Sequence, residues 1–207
     1  MPKQPLYEMP FAPPQGISHE VNASTPLQRG TSPLEIWYSG AANQTAYVAG
    51  ASFAVNTVRA YPIVIGRTGI LDRIGFEPTG ASAGSVGRVA LYSAISATNL
   101  YPGSLLVESG ELDTSSAAVK TATISTYISP GLYWFAFVFG TAVATMRRTA
   151  TGGGLPLLGV PSTMGANCNQ RLTGSLTYGA FASTFPAGIA AIDASAVAPV
   201  GHIRFSS

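Results

Sequence analysis

The chain has 207 residues, of which only 10% are charged, whereas an ordinary soluble domain carries about 25%. Apolar residues make up 46%, so the chain can bury a core and differs from disordered proteins, which are poorly hydrophobic. With only two lysines it lacks the charged exposed faces of a long helical bundle or coiled coil. The 23 glycines and 15 prolines indicate a compact, turn-rich protein whose weakly charged surface is largely covered by partners.

Charge and hydropathy exclude two kinds of partner. The formal net charge is +2, and Arg147-Arg148 is the longest run of basic residues, so the clustered cations that nucleic-acid binding requires are missing. Residues 121–146 carry no charge, but Pro130 and Gly131 interrupt them. The apolar run at 132–139 has the length of a strand rather than of a spanning helix, so we expect no membrane span.

The first 35 residues differ from the rest of the chain because they hold seven of the fifteen prolines. Proline at this density disfavours both helix and sheet interiors. The segment nevertheless carries large apolar side chains, which a flexible linker would lack. We therefore predict that residues 1–35 are an extended anchoring arm, with a disordered tail as the alternative, and that the arm binds its partner through Leu6, Tyr7, Met9, Phe11 and Ile17.

From residue 36 onward, short strand-like runs alternate with turns rich in Gly, Ser, Asn and Pro. Their spacing is typical of an antiparallel β-sandwich, which we predict for residues 36–207. The predicted strands are 36–39, 46–53, 58–65, 69–78, 87–93, 105–111, 118–127, 131–139 and 202–205.

Alternation within two of these runs predicts which side chains face the core. In 70–77, a period of two places Ile70, Ile74 and Phe76 on one face and Leu71, Arg73 and Glu77 on the other. In 87–92, Val89 and Leu91 alternate with Arg88, Ala90 and Tyr92. Both runs therefore read as half-buried strands with one face in water.

The run at 132–139 is apolar on both faces, although in a two-layer sandwich only one face of a strand meets the core. The second face must then meet the arm, another subunit or a third layer, or be shielded by neighbouring loops. We predict that this strand forms a subunit interface through Tyr133, Phe135, Phe137 and Phe139.

Residues that could carry chemistry are sparse. The two histidines, His19 and His202, have no metal-ligand spacing, and the chain contains no nucleophile elbow and no phosphate-binding loop. Arg73 with Asp72 or Glu77 reads as an ion pair. We therefore predict no enzyme activity, no metal and no cofactor. Tyrosines near turns could stack on sugar rings or simply pack across strands, and the candidates are Tyr92, Tyr101 and Tyr178.

Several motifs together resemble a known family. Residues 59–76 and 86–92 are followed by a Pro-Gly-Ser-Leu-Leu turn at 102–106 and by Pro-Gly-Leu-Tyr-Trp-Phe-Ala at 130–136. This order is similar to small β-sandwich modules of tailed-bacteriophage virion proteins, tail-fibre and capsid-associated ones among them. The resemblance covers about residues 55–140 and, more loosely, residues 178–185, and it excludes the arm. It implies a jelly-roll-like sandwich without catalytic residues.

The resemblance and the arm lead to a functional expectation. We expect a virion structural protein, as a fibre, tail-associated or capsid-decorating subunit, that binds other virion proteins through its arm. Fibre subunits are commonly trimers, so a homo-oligomer, with a trimer favoured, is expected. The alternative is a carbohydrate-binding adhesin module that recognises a host surface glycan.

Overall fold

The computed structural model describes residues 37–39, 47–142, 144–149, 171–189, 192–193 and 197–206. All regular structure in these ranges is β-strand, and no helix there could cross a membrane. The strands are β1 (Trp37–Ser39), β2 (Tyr47–Ser52), β3 (Thr57–Ile65), β4 (Gly69–Phe76), β5 (Pro78–Gly80), β6 (Val86–Ala94), β7 (Pro102–Glu108), β8 (Leu112–Asp113), β9 (Lys120–Ile128), β10 (Gly131–Gly140), β11 (Thr145–Thr149), β12 (Arg171–Ser175), β13 (Ile192–Asp193) and β14 (Gly201–Phe205).

Each of the nine predicted strands is confirmed by an overlapping strand. The five strands that sequence reasoning missed are β5, β8, β11, β12 and β13, and each has five residues or fewer. Such short segments carry too few alternating positions to produce a period-two signal. The arm at 1–35 lies outside the described residues.

The strand order is that of a jelly roll. One sheet has the order β1-β14-β4-β9, and the larger sheet contains β3-β10-β6-β7, extended by β12 and β13 beyond β3. All neighbours are antiparallel. The eight main strands are β1, β3, β4, β6, β7, β9, β10 and β14. Numbered one to eight in chain order, they are arranged 1-8-3-6 in the first sheet and 2-7-4-5 in the larger sheet, which is the double Greek key of the jelly roll. The predicted fold class is therefore confirmed.

The main core lies between the two sheets and is dominated by aromatic rings. Phe135, Phe137 and Phe139 of β10 alternate along one face of that strand and are fully buried. Tyr61 stacks on Phe137 with ring centroids 5.9 Å apart, and its hydroxyl accepts a 2.7 Å hydrogen bond from the Gly201 amide. This bond joins the two sheets through a group that burial would otherwise leave unsatisfied.

The predicted subunit interface on β10 is wrong. Tyr133, Phe135, Phe137 and Phe139 all point into the space between the sheets and are buried within the chain itself. Their side chains face Ile74 and Ile203 of the opposite sheet, so they offer no surface to a second subunit. The opposite face of β10, formed by Trp134, Ala136 and Val138, is the one that needed a further partner.

That second face is covered by the chain's own residues 176–189, here called the covering segment. Phe181, Phe185 and Ile189 of this segment pack with Tyr92 and Trp134 on the outer face of the larger sheet. The alternative of shielding by neighbouring loops is thus the one observed. It also corrects the wet face predicted for residues 87–92, because Ala90 and Tyr92 are completely buried beneath this segment.

An irregularity in β4 reverses the predicted side-chain orientations of Ile70 and Leu71. Arg204 and Phe205, adjacent in β14, pair with Arg73 and Leu71, so Asp72 is an extra residue on β4. A bulge of this kind shifts the side-chain alternation by one position. Leu71 therefore joins Ile74 and Phe76 in the core, whereas Ile70 is 47% exposed.

We expect Phe137→Ala to lower the free energy of unfolding by about 3–5 kcal/mol, because it leaves a cavity among packed rings. Tyr127→Ala is the matched control, since the Tyr127 side chain is 69% exposed and its loss should change stability by no more than about 0.5 kcal/mol. Denaturant titration of both variants measures the difference. Similar losses in the two variants would contradict the assignment of the core.

Candidate functional site

The three tyrosines proposed from the sequence lie together around the covering segment. The Tyr92 hydroxyl donates to the Ala182 carbonyl at 2.8 Å, and the Tyr101 hydroxyl donates to the Ile189 carbonyl at 2.6 Å. Both rings meet Phe185 edge-on, at centroid distances of 5.2 and 5.9 Å. These tyrosines therefore fasten the covering segment to the sheet.

Tyr92 is excluded as a sugar platform because its ring has no exposed surface. Burial also raises the pKa of Tyr92 and of Tyr101, so both hydroxyls stay protonated as hydrogen-bond donors. Tyr92 therefore packs within the protein, which is the alternative to sugar binding for these tyrosines.

Tyr178 holds the covering segment at its other end. Its ring lies directly over Gly140, where an added Cβ would come within 2.6 Å of Tyr178 Cδ1, so only glycine permits this approach. The hydroxyl lies 3.0 Å from a Glu111 carboxylate oxygen, and the Arg88 guanidinium lies 5.7 Å from the ring centroid. Burial and the hydrogen bond to Glu111 raise the pKa of Tyr178 to about 12.

The arm residues Leu6, Tyr7, Met9, Phe11 and Ile17 lie outside the described residues. Their predicted role in partner binding remains a prediction.

A different surface stands out as the candidate interaction site. The four-stranded sheet exposes on its outside the face opposite the core, and no described segment packs over it in the way the covering segment shields the larger sheet. We call this surface the outer sheet face. Alternation along the strands gives it Trp37, Ile70, Asp72, Arg73, Thr121, Thr123, Ser125, Tyr127 and Arg204.

The β4 bulge builds an ion pair at the centre of the outer sheet face. Arg204 donates from Nε and Nη2 to the two carboxylate oxygens of Asp72, at 2.9 and 2.7 Å. This bidentate hydrogen bond is the main cause of the lowered pKa of Asp72. The Arg204 guanidinium also lies 5.8 Å from the centroid of the Trp37 ring, which extends the cluster toward β1.

The partners expected for Arg73 from the sequence are wrong. Asp72 pairs with Arg204 across the sheet, and Glu77 pairs with Arg147 of β11 through two hydrogen bonds of 2.5 and 2.9 Å. Arg73 instead donates to the backbone carbonyl of Asp72 at 2.9 Å. The two carboxylates do not pair with the neighbouring Arg73, because antiparallel pairing brings arginines from distant strands closer to them.

His202 connects the outer sheet face to the small sheet β2-β11-β5. Trp37 and Tyr47 meet the imidazole edge-on, with centroids 6.4 and 6.3 Å from that of His202. Burial lowers the pKa of His202, and the carboxylate of Glu77 opposes this effect. The imidazole is therefore neutral at pH 7, in keeping with its place in an aromatic cluster.

Tyr127 and Ile70 are the exposed apolar residues of the outer sheet face. They are directly opposite each other on β9 and β4, with 69% and 47% of their surfaces exposed. Hydroxyl side chains at 121, 123 and 125 continue the row along β9. Sequence reasoning missed Tyr127, although its signal was present in the alternation of these positions with Ala122, Ile124 and Thr126.

The described residues contain no group of three or more His, Cys, Asp or Glu that could hold a metal ion. The chain matches no known protein family, and no curated protein matches it significantly. The outer sheet face presents an aromatic ring, hydroxyl groups and guanidinium groups, which are side chains that make binding contacts.

We expect Asp72→Asn to lower the free energy of unfolding by about 0.5–1 kcal/mol at neutral pH, because the pair with Arg204 is partly exposed. The folded-state pKa of Asp72 is depressed, so its stabilising effect is present above the ordinary value of 3.8 and is lost as pH falls through the lowered pKa. Denaturant titrations of both proteins across this range should therefore converge at low pH. A difference that stays constant with pH would contradict the ion pair.

Proposed function

We propose that this chain is a structural protein of a tailed-bacteriophage virion, anchored by residues 1–35 and displaying the jelly roll. The fold is compatible with this role because jelly rolls recur in viral capsid proteins, although they also form lectins, so fold alone decides nothing. The sequence motifs at 102–106 and 130–136 supply the resemblance to virion modules.

The observation that carries the proposal is the uneven covering of the sandwich. The larger sheet is shielded by the covering segment, whereas the outer sheet face presents Trp37, Tyr127, Arg73 and Arg204 with hydroxyl residues between them. Protein interfaces are enriched in aromatic residues and arginine and depleted in lysine and acidic residues. Asp72, the acidic residue on this face, is already neutralised by Arg204. A face of this composition suits a subunit packed among other proteins.

Localisation in the particle tests the proposal directly. An antibody against the purified chain should label intact phage particles produced by cells that carry this gene, and mass spectrometry of those particles should find the chain. Particles that lack the chain in both measurements would reject the virion role.

A full-length variant tests the anchoring arm separately. Replacing Leu6, Tyr7, Met9, Phe11 and Ile17 with Ser should leave the far-ultraviolet circular dichroism unchanged but prevent incorporation, because the apolar contacts of the arm are lost. The matched control replaces five polar arm residues with Ala, namely Gln4, Gln15, Ser18, Asn22 and Thr25, and should incorporate normally. Equal incorporation of both variants would contradict anchoring by these residues.

One observation favours the alternative of a glycan-binding module. The Tyr127 ring is mostly exposed on a sheet surface and is followed along β9 by side chains that can exchange hydrogen bonds with sugar hydroxyls. For this alternative we therefore propose the outer sheet face, and not Tyr92, as the sugar-binding surface.

If the chain binds host polysaccharide, Tyr127→Ala should weaken that binding about tenfold, which corresponds to the loss of one stacking contact. Ile95→Ala, at an exposed apolar residue that follows β6 of the larger sheet, is the control and should bind like the unchanged chain. Isothermal titration with host cell-wall polysaccharide measures both. The absence of heat with the unchanged chain at millimolar sugar would end the glycan hypothesis.

A further inference from the structure

The described strands leave six sheet edges, and β9 differs from the other five. In the small sheet, β5 begins with Pro78, and β2 contains Gly50 at positive φ and shows a register shift against β11. The described parts of β1 and β13 are only three and two residues long. β7 begins with Pro102 and shows two register shifts against β6. Short strands, proline and irregular pairing are the devices that protect edges from other chains. β9 has nine residues, and among the described strands it pairs with β4 alone.

The composition of β9 also leaves its edge open to pairing. Between Lys120 and Ile128 the strand contains no charge and no proline, and five of these seven residues are Thr, Ile or Tyr, which favour strands. Charged side chains are the usual protection of a long edge. The N–H and C=O groups of β9 that have no partner among the described residues therefore form a row to which another strand can bond.

The core is incompletely closed along the same side of the sandwich. Ile74 and Ile203, which face inward from the central strands of the four-stranded sheet, are completely buried. Ala122 and Ile124, which face inward from β9, are only partly buried, and so is Val107 on β7 of the facing sheet. A strand added beside β9 would cover apolar surface that the described residues leave partly exposed.

We propose that the free edge of β9 pairs antiparallel with β9 of a second copy of this chain. A two-fold contact requires a self-complementary surface, and β9 provides one. An axis beside Ile124 places Thr121 opposite Tyr127 of the second copy, and Thr123 opposite Ser125 of the second copy. Hydroxyl pairs and aromatic pairs with β-branched residues stabilise antiparallel strands, and no two like charges meet.

The second copy is favoured over another protein as the occupant because β9 is complementary to itself across this axis, with hydroxyl opposite hydroxyl and Thr121 opposite Tyr127. The resulting sheet would have eight strands, with the two outer sheet faces side by side. This inference is independent of the virion role, since the purified chain alone suffices to test it.

Charge exchange at two exposed positions tests the pairing. Thr123→Glu/Ser125→Glu places glutamates opposite glutamates across the axis, whereas Thr123→Glu/Ser125→Lys places each glutamate opposite a lysine. Both variants carry a glutamate beside Arg73, so that contact within the chain cancels in the comparison. Sedimentation equilibrium of the full chain should give twice the 21.3 kDa chain mass. The first variant should weaken association at least about tenfold, and the second should retain it.

A variant with the same added charge at the same spacing controls for net charge. Ala81→Glu/Ala83→Glu lies in an exposed turn before β6 and should dimerise like the unchanged chain. Circular dichroism confirms that each variant is folded, and amide exchange along β9 should slow as protein concentration rises. An unchanged chain that is monomeric or trimeric overturns the proposal, and so does a dimer that survives the first variant.

Discussion

The fold depends on one requirement, which is that β10 must be buried on both faces. Phe135, Phe137 and Phe139 on one face fill the space between the sheets, and Trp134, Ala136 and Val138 on the other need a second cover. A strand of this kind is stable only at the centre of a sheet, and β10 accordingly lies between β3 and β6. Its second face also explains why the chain continues into the covering segment after β12.

The covering segment is held by specific contacts as well as by apolar burial. Tyr92 and Tyr101 donate to its backbone carbonyls at 2.8 and 2.6 Å. The segment pairs only briefly with β7, through two backbone hydrogen bonds of 2.8 and 2.9 Å, so side-chain donors from the sheet satisfy further carbonyls that become buried. The same tyrosines that suggested sugar binding therefore have a structural role in this part of the molecule.

Strand positions were predictable because Gly, Pro and Asn mark the turns between apolar runs, but side-chain facing was predictable only where pairing is regular. The extra residue Asp72 places Leu71 inward and Ile70 outward, and no local feature of the sequence reveals it, since the bulge is defined by β14 more than 100 residues away. Phe181, Phe185 and Ile189 were missed because they are scattered among small residues without a period. Tyr127, by contrast, follows a visible alternation and could have been assigned to the surface.

The low charge of the chain has two physical explanations that belong to different parts of the jelly roll. Along β10 and β6 it follows from burial on both faces. Along β9 it does not, because Thr121, Thr123, Ser125 and Tyr127 all face water in the isolated chain. Charged residues at such positions would cost nothing in the monomer and would protect the edge from other strands. Their absence along β9 is therefore not required by the packing of the described residues, and it is in keeping with the proposed pairing of β9 with a second copy.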